Sequence, residues 1–172
     1  MKTGITKSGD STEDKLISLV PSAKKNPDNS WIGKAKGDAI ITLNGKEYYV
    51  EIKKTTWNQT RPYKYLCCIG YDPSENVWVV VPPDVVMKMA QGKKGQHTKN
   101  PFVCIGLGKT IAKCFEQYRC EEQELESKIH EAILQGEKNI AMKKAAETLR
   151  QREIDRTKQD NLLIENILTN QL

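Results

Sequence analysis

The chain predicts a mixed α/β fold: a central β-sheet flanked by helices, followed by a helical C-terminal tail. Three observations carry that expectation. Asn44-Gly45 sits between two runs rich in β-branched and aromatic residues, the pattern of a two-residue hairpin turn. Helical and strand-like segments then alternate through residue 119, an order that suits a sheet covered by helices. From Glu121 the composition changes: apart from Gly136, residues 121–172 hold no Gly or Pro and are dominated by helix formers.

Residues 1–10 are polar and read as a loose arm. Ser11 or Thr12 then caps a helix with Glu13 and Asp14 in its first turn, where the helix dipole favours acids. Leu16, Ile17, Leu19 and Val20 give that helix an apolar stripe, and Pro21 ends it. Residues 22–37 read as a basic loop around a core anchor, Trp31, and lead into the hairpin. After the hairpin, a polar connection precedes a helix over residues 62–69 and a turn over 73–76. Residues 77–81, Val-Trp-Val-Val-Val, are a continuous β-branched run bounded by Pro82-Pro83, which suits a fully buried strand. Asp84 caps a short helix over 85–91; a basic loop over 92–100, a strand over 101–107 and a helix over 109–119 follow. In the tail, Leu125, Ile129 and Ile133 begin a stripe that Met142, Ala145, Ala146 and Leu149 continue. Gly136 and the polar run 150–161 are expected to divide the tail into two or three helices. The chain therefore divides into a core, residues 1–120, and a tail, residues 121–172, which packs on that core or on a second copy.

The hairpin carries the chemistry. With Asn44-Gly45 as the turn, Leu43 faces Lys46, Thr42 faces Glu47, Ile41 faces Tyr48, Ile40 faces Tyr49 and Ala39 faces Val50. Continued one step, Asp38 falls opposite Glu51. Side chains alternate between faces, so Asp38, Glu51 and Lys53 share one face. Opposed residues on one face lie about 4.5–5.5 Å apart at Cβ. Two carboxylates that close repel unless a positive charge sits between them, so the register predicts a cation site. A divalent metal on two carboxylates beside a lysine suits phosphodiester hydrolysis, and oxygen ligands with water and phosphate are what Mg²⁺ prefers.

Asp38 followed by Glu51-Ile52-Lys53 on a hairpin resembles the PD-(D/E)XK nuclease superfamily, which includes many type II restriction endonucleases and Holliday-junction resolvases. The resemblance spans about the first two thirds of the chain and rests strictly on Asp38, Glu51 and Lys53. Gly37 precedes the aspartate where the family name places Pro. The resemblance implies a restriction-endonuclease-like core and Mg²⁺, with Mn²⁺ as a substitute. It makes Asp38, Glu51 and the Ile52 carbonyl the metal ligands, and Lys53 the group that aligns the attacking water. Glu13 is a candidate accessory acid, or simply a first-turn helix acid. The implied substrate is double-stranded DNA cut by a homodimer, as type II restriction enzymes do. A junction resolvase or homing endonuclease on the same fold, or a non-catalytic nucleic-acid-binding protein, fits the same residues. Candidate nucleic-acid contacts are Lys34 and Lys36 before the hairpin, then Lys54, Thr55, Asn58, Gln59 and Arg61 after it. The 92–100 loop adds Lys93, Lys94, Gln96, His97 and Lys99.

Composition sets looser bounds. A net charge of +5 suits a polyanionic partner, though many basic proteins bind none. No apolar run approaches the roughly 20 residues of a membrane span, and the N-terminus has no signal-type apolar segment, so a cytoplasmic protein is expected. Five cysteines without a Cys-x-x-Cys pair suit reduced core thiols rather than disulfides or zinc.

Overall fold

The computed structural model describes residues 7–27, 37–56, 66–90 and 111–169. The chain falls into two compact units, residues 1–136 and residues 137–172.

In the first unit, six strands among the described residues form one sheet in the order β1 to β6. They are β1 (Ala23–Lys25), β2 (Ala39–Leu43), β3 (Lys46–Lys54), β4 (Cys68–Asp72), β5 (Val77–Val81) and β6 (Arg119–Cys120). Neighbours are antiparallel except β3 and β4, which run parallel, so the sheet is mixed. The helices are α1 (Lys7–Leu19), α2 (Pro83–Ala90), α3 (Ile111–Cys114) and α4 (Leu125–Thr169), with 3₁₀ turns at Glu116–Tyr118 and Glu122–Glu124. This is the α/β architecture expected of the sequence, with a long C-terminal helix.

The two faces of the sheet have separate cores. On one, Ala39, Ile41, Val50, Ile52, Ile69, Trp78 and Val80 pack with Leu16 and Val20 of α1 and with Leu125, Ile129 and Ile133 of α4. On the other, Cys68, Val79 and Val81 pack with Val86 of α2, Ile111 of α3 and Phe115. Strands β4 and β5 are buried along their whole length because both faces are covered. Lys15 fastens α1 to the sheet: its Nζ donates to Tyr71 Oη at 2.8 Å, pairs with Glu122 at 2.6 Å and lies 4.2 Å from the Tyr71 ring centre.

Several elements differ from the sequence reading. Helix α1 starts at Lys7, so Ser11 and Thr12 lie inside it, and Thr12 is buried rather than capping. A three-residue strand, β1, interrupts the expected 22–37 loop by pairing with β2. The helix expected over 62–69 is not there at its end, because Cys68 and Ile69 open the central strand β4. A strand buried on both faces loses its alternation, and periodicity then cannot separate it from helix. Helix α2 begins at Pro83, whose missing N–H costs nothing in a first turn, so Asp84 lies in that turn instead of capping. Of the expected 109–119 helix, residues 109 and 110 lie outside the described residues, and 111–119 form α3, a 3₁₀ turn and the start of β6. The tail is one 45-residue helix rather than two or three. Gly136 does not break it: a Cβ there would come within 3.2 Å of Leu66, so the missing side chain is what lets the helix approach. The strand expected over 101–107 lies outside the described residues. Among the described residues no helix is long and apolar enough to cross a membrane.

Candidate active site

The hairpin pairs as the turn register requires, from Leu43↔Lys46 to Ala39↔Val50. Asn44 and Gly45 both take positive φ, 52° and 76°, which suits a type I′ turn. The ladder then departs from the simple extrapolation. Ala39 pairs with Val50, yet the Asp38 N–H also donates to the Val50 carbonyl, at 2.8 Å. Two successive residues thus answer to one, as in a β-bulge, and Asp38 is not squarely opposite Glu51. A bulge re-aims the side chain it carries. Here the Asp38 carboxylate turns across the end of β2, where Oδ2 accepts the Ile52 N–H at 2.7 Å.

The main chain around Asp38 is held from β1. Buried Asn26 donates through Nδ2 to the Gly37 carbonyl at 2.8 Å, and its N–H donates to the Asp38 carbonyl at 3.3 Å. Gly37 has φ 108°, which a proline ring locked near −65° cannot adopt. Glycine before the aspartate is therefore a requirement of this backbone. A lone Asn beside a Pro reads as turn material in the sequence, and only these contacts reveal the part of Asn26.

Glu51 and Lys53 lie on the β3 face opposite Val50 and Ile52, the face that Cys68 shares through its pairing with Glu51. The Lys53 ammonium forms an ion pair with Glu51 Oε1 and lies 3.8 Å from Asp38 Oδ2. Glu51 is 5% exposed. Burial pulls the Lys53 pKa down, but the negative charges of Glu51 and Asp38 outweigh it and the net shift is upward. The lysine stays charged through neutral pH. The positive charge that the two carboxylates demand is thus supplied, in the protein alone, by Lys53. Cys68 beside them is a thiol, because burial and then the Glu51 charge push its pKa well up.

Among the described residues no three His, Cys, Asp or Glu side chains are grouped to hold a metal. The oxygen donors gathered here are two carboxylates and a main chain. The Ile52 N–H points at Asp38, and in an extended strand the carbonyl of the same residue points to the same side. Hard oxygens from one or two carboxylates, completed by water and phosphate, fit Mg²⁺ better than a softer metal.

The remaining expected residues divide. Glu13 belongs to α1, which covers the other face of β3, and its carboxylate lies 3.9 Å from Lys25 Nζ. Lys54 and Thr55 are exposed at the end of β3. Thr55 has φ 66°, a costly value for a β-branched residue, and it is tied at both ends. Its N–H donates to the Tyr71 carbonyl at 2.8 Å and its carbonyl accepts the Ile111 N–H at 2.9 Å. Lys34, Lys36, Asn58, Gln59, Arg61, Lys93, Lys94, Gln96, His97 and Lys99 lie outside the described residues.

No protein-family description matches this chain, and no curated protein matches it. Among solved structures, the chain is similar to a bacterial homing endonuclease, I-Ssp6803I, at 16% identity and a TM-score of 0.44, over 79% of this chain and 99% of that one. The class that the fold and the site define is a mixed α/β protein with an acid–acid–lysine trio at a hairpin bulge.

Proposed function

We propose that this protein is a Mg²⁺-dependent DNA endonuclease that hydrolyses phosphodiester bonds in double-stranded DNA, most simply a type II restriction enzyme. The observation that carries the reading is the contact of one lysine with two carboxylates beside the Asp38 bulge. Asp38, Glu51 and the Ile52 carbonyl would hold the metal. When bound, Mg²⁺ supplies an activated water and offsets charge on the phosphate in the transition state. The chain's own part is to hold the donors. Ile52 N–H and Asn26 fix the Asp38 segment, and Lys53, paired with both acids, presents its charge toward an attacking water or a phosphate oxygen. The net charge of +5 suits a polyanionic substrate. Cutting both strands at a short symmetric site calls for two copies related by a two-fold axis.

The test is a digest of linear duplex plasmid and of a four-way junction with Mg²⁺, Mn²⁺ or EDTA, with the product ends sequenced. Discrete fragments from the duplex, present with metal and absent with EDTA, are the expected result. Asp38→Ala, Glu51→Ala and Lys53→Ala are each expected to lower the rate by at least about a hundredfold. Cutting of the junction alone would move the protein to the resolvases, and cuts at one long site to the homing enzymes. Salt-sensitive DNA binding without any cleavage would leave a binding protein.

A further inference from the structure

Every side chain of α4 from residue 140 to residue 166 is exposed, within the unit formed by residues 137–172. Helices in water owe most of their stability to packing, and over residues 140–166 this one has no buried side chain. At 3.6 residues per turn, positions 142, 145, 146 and 149 fall within one arc of about 100°. Positions 153, 156 and 160 continue that arc, and 163 and 164 close it. The ends of the stripe are apolar, with Leu149 and Leu163 60% and 61% exposed. The middle is charged: Glu153, Arg156 and Asp160.

We infer that this stripe pairs with the same stripe of a second copy, antiparallel, about a two-fold axis between residues 154 and 155. Charge decides the direction. A parallel, in-register pair sets Glu153 on Glu153, Arg156 on Arg156 and Asp160 on Asp160, like charges at three successive seam positions. Turning one helix end for end sets Glu153 of each copy opposite Arg156 of the other. The same operation brings Ala145 opposite Ile164 and Ala146 opposite Leu163, small against large. Leu149 opposite Asp160 is the imperfect pair. The charged centre fixes register and direction, and the apolar ends supply the burial.

The pairing gives a residue-level form to the homodimer in the nuclease reading, and rests on that reading only for its purpose. Measured without DNA or metal, its failure leaves the cleavage assignment standing. The test is sedimentation of the full chain, with circular dichroism to confirm that each variant stays helical. The wild type is expected to self-associate. Glu153→Arg or Arg156→Glu alone should weaken association at least about tenfold, and the two together should restore it, as reciprocal charge pairing requires. In oxidative cross-linking against a wild-type control, a mixture of Ala145→Cys and Ile164→Cys chains should join while neither variant joins alone. A chain still monomeric at about 100 μM would overturn the inference, as that is weaker than specific dimers of this kind need. So would a double variant as weak as the singles, or Ala145→Cys chains that cross-link with themselves.

Discussion

Lys53 stands between two acids, one of them almost wholly buried, and this makes its removal informative. Lys53→Ala leaves a buried carboxylate without its cation, which typically costs about 3 kcal/mol. A divalent ion would satisfy the same oxygens. Thermal melts of Lys53→Ala are therefore expected to rise with added Mg²⁺ by more than those of the wild type, where the ammonium competes for the same carboxylates. An equal response in both proteins would mean that the ion does not share Lys53's position. The charge pattern of Asp38, Glu51 and Lys53 was legible from spacing alone, because a two-residue turn ties register to sequence. The bulge was not, because it depends on Asn26 and on a positive φ at Gly37, and neither follows from the hairpin's own residues.

Elements show the same division. Strand β5 is readable as an unbroken β-branched run between turn and proline, whereas the first residues of β4, Cys68 and Ile69, read as the end of a helix because a strand buried on both faces lacks the alternation that marks it. Helix α4 passes through Gly136, which in an open helix costs about 1 kcal/mol relative to Ala. The contact with Leu66 reverses the usual expectation. Gly136→Ala should lower stability in urea titrations by about 1 kcal/mol, since the added methyl meets both the side chain and the carbonyl of Leu66. A gain in stability would show that Leu66 gives way. The start of α4 is pinned by Glu126, which accepts the Ser22 N–H at 2.9 Å. Hydrogen bonding from Ser22 holds its carboxyl below the usual glutamate range, against a smaller opposing effect of desolvation. A lowered folded pKa means stability that is present above the unfolded value, about 4.3, and lost as pH falls through the folded one. Glu126→Gln should accordingly cost about 1 kcal/mol at pH 7, with the difference closing below pH about 4. A gap that persists at pH 2 would assign the effect to packing instead.

At the scale of the whole molecule, the apolar core of the first unit closes with Ile133, while in the second unit the side chains of residues 140–166 are all exposed. A chain ending at Gly136 is expected to keep cooperative unfolding, with the buried Trp78 as its fluorescence probe, and to lose self-association. Loss of folding would show that residues 137–172 support the core directly. Buried thiols belong to this scale as well: burial pushes Cys67 up to about 12 and Cys120 to about 11, so both stay protonated and inert while the core is intact.

By itself the sequence determined the class of fold, the hairpin register and the trio of charged residues, because each depends on local rules: turn chemistry, alternation and composition. Only the tertiary structure decided that Asp38 is re-aimed by a bulge, that Cys68 and Ile69 start a central strand, and that Gly136 lies within one continuous helix. Each of those outcomes is set by a neighbour distant in the chain, Asn26 for the first, the β3 and β5 ladders for the second and Leu66 for the third. Local preference amounts to a few tenths of a kcal/mol per residue, and a packed contact or a buried hydrogen bond overrides it.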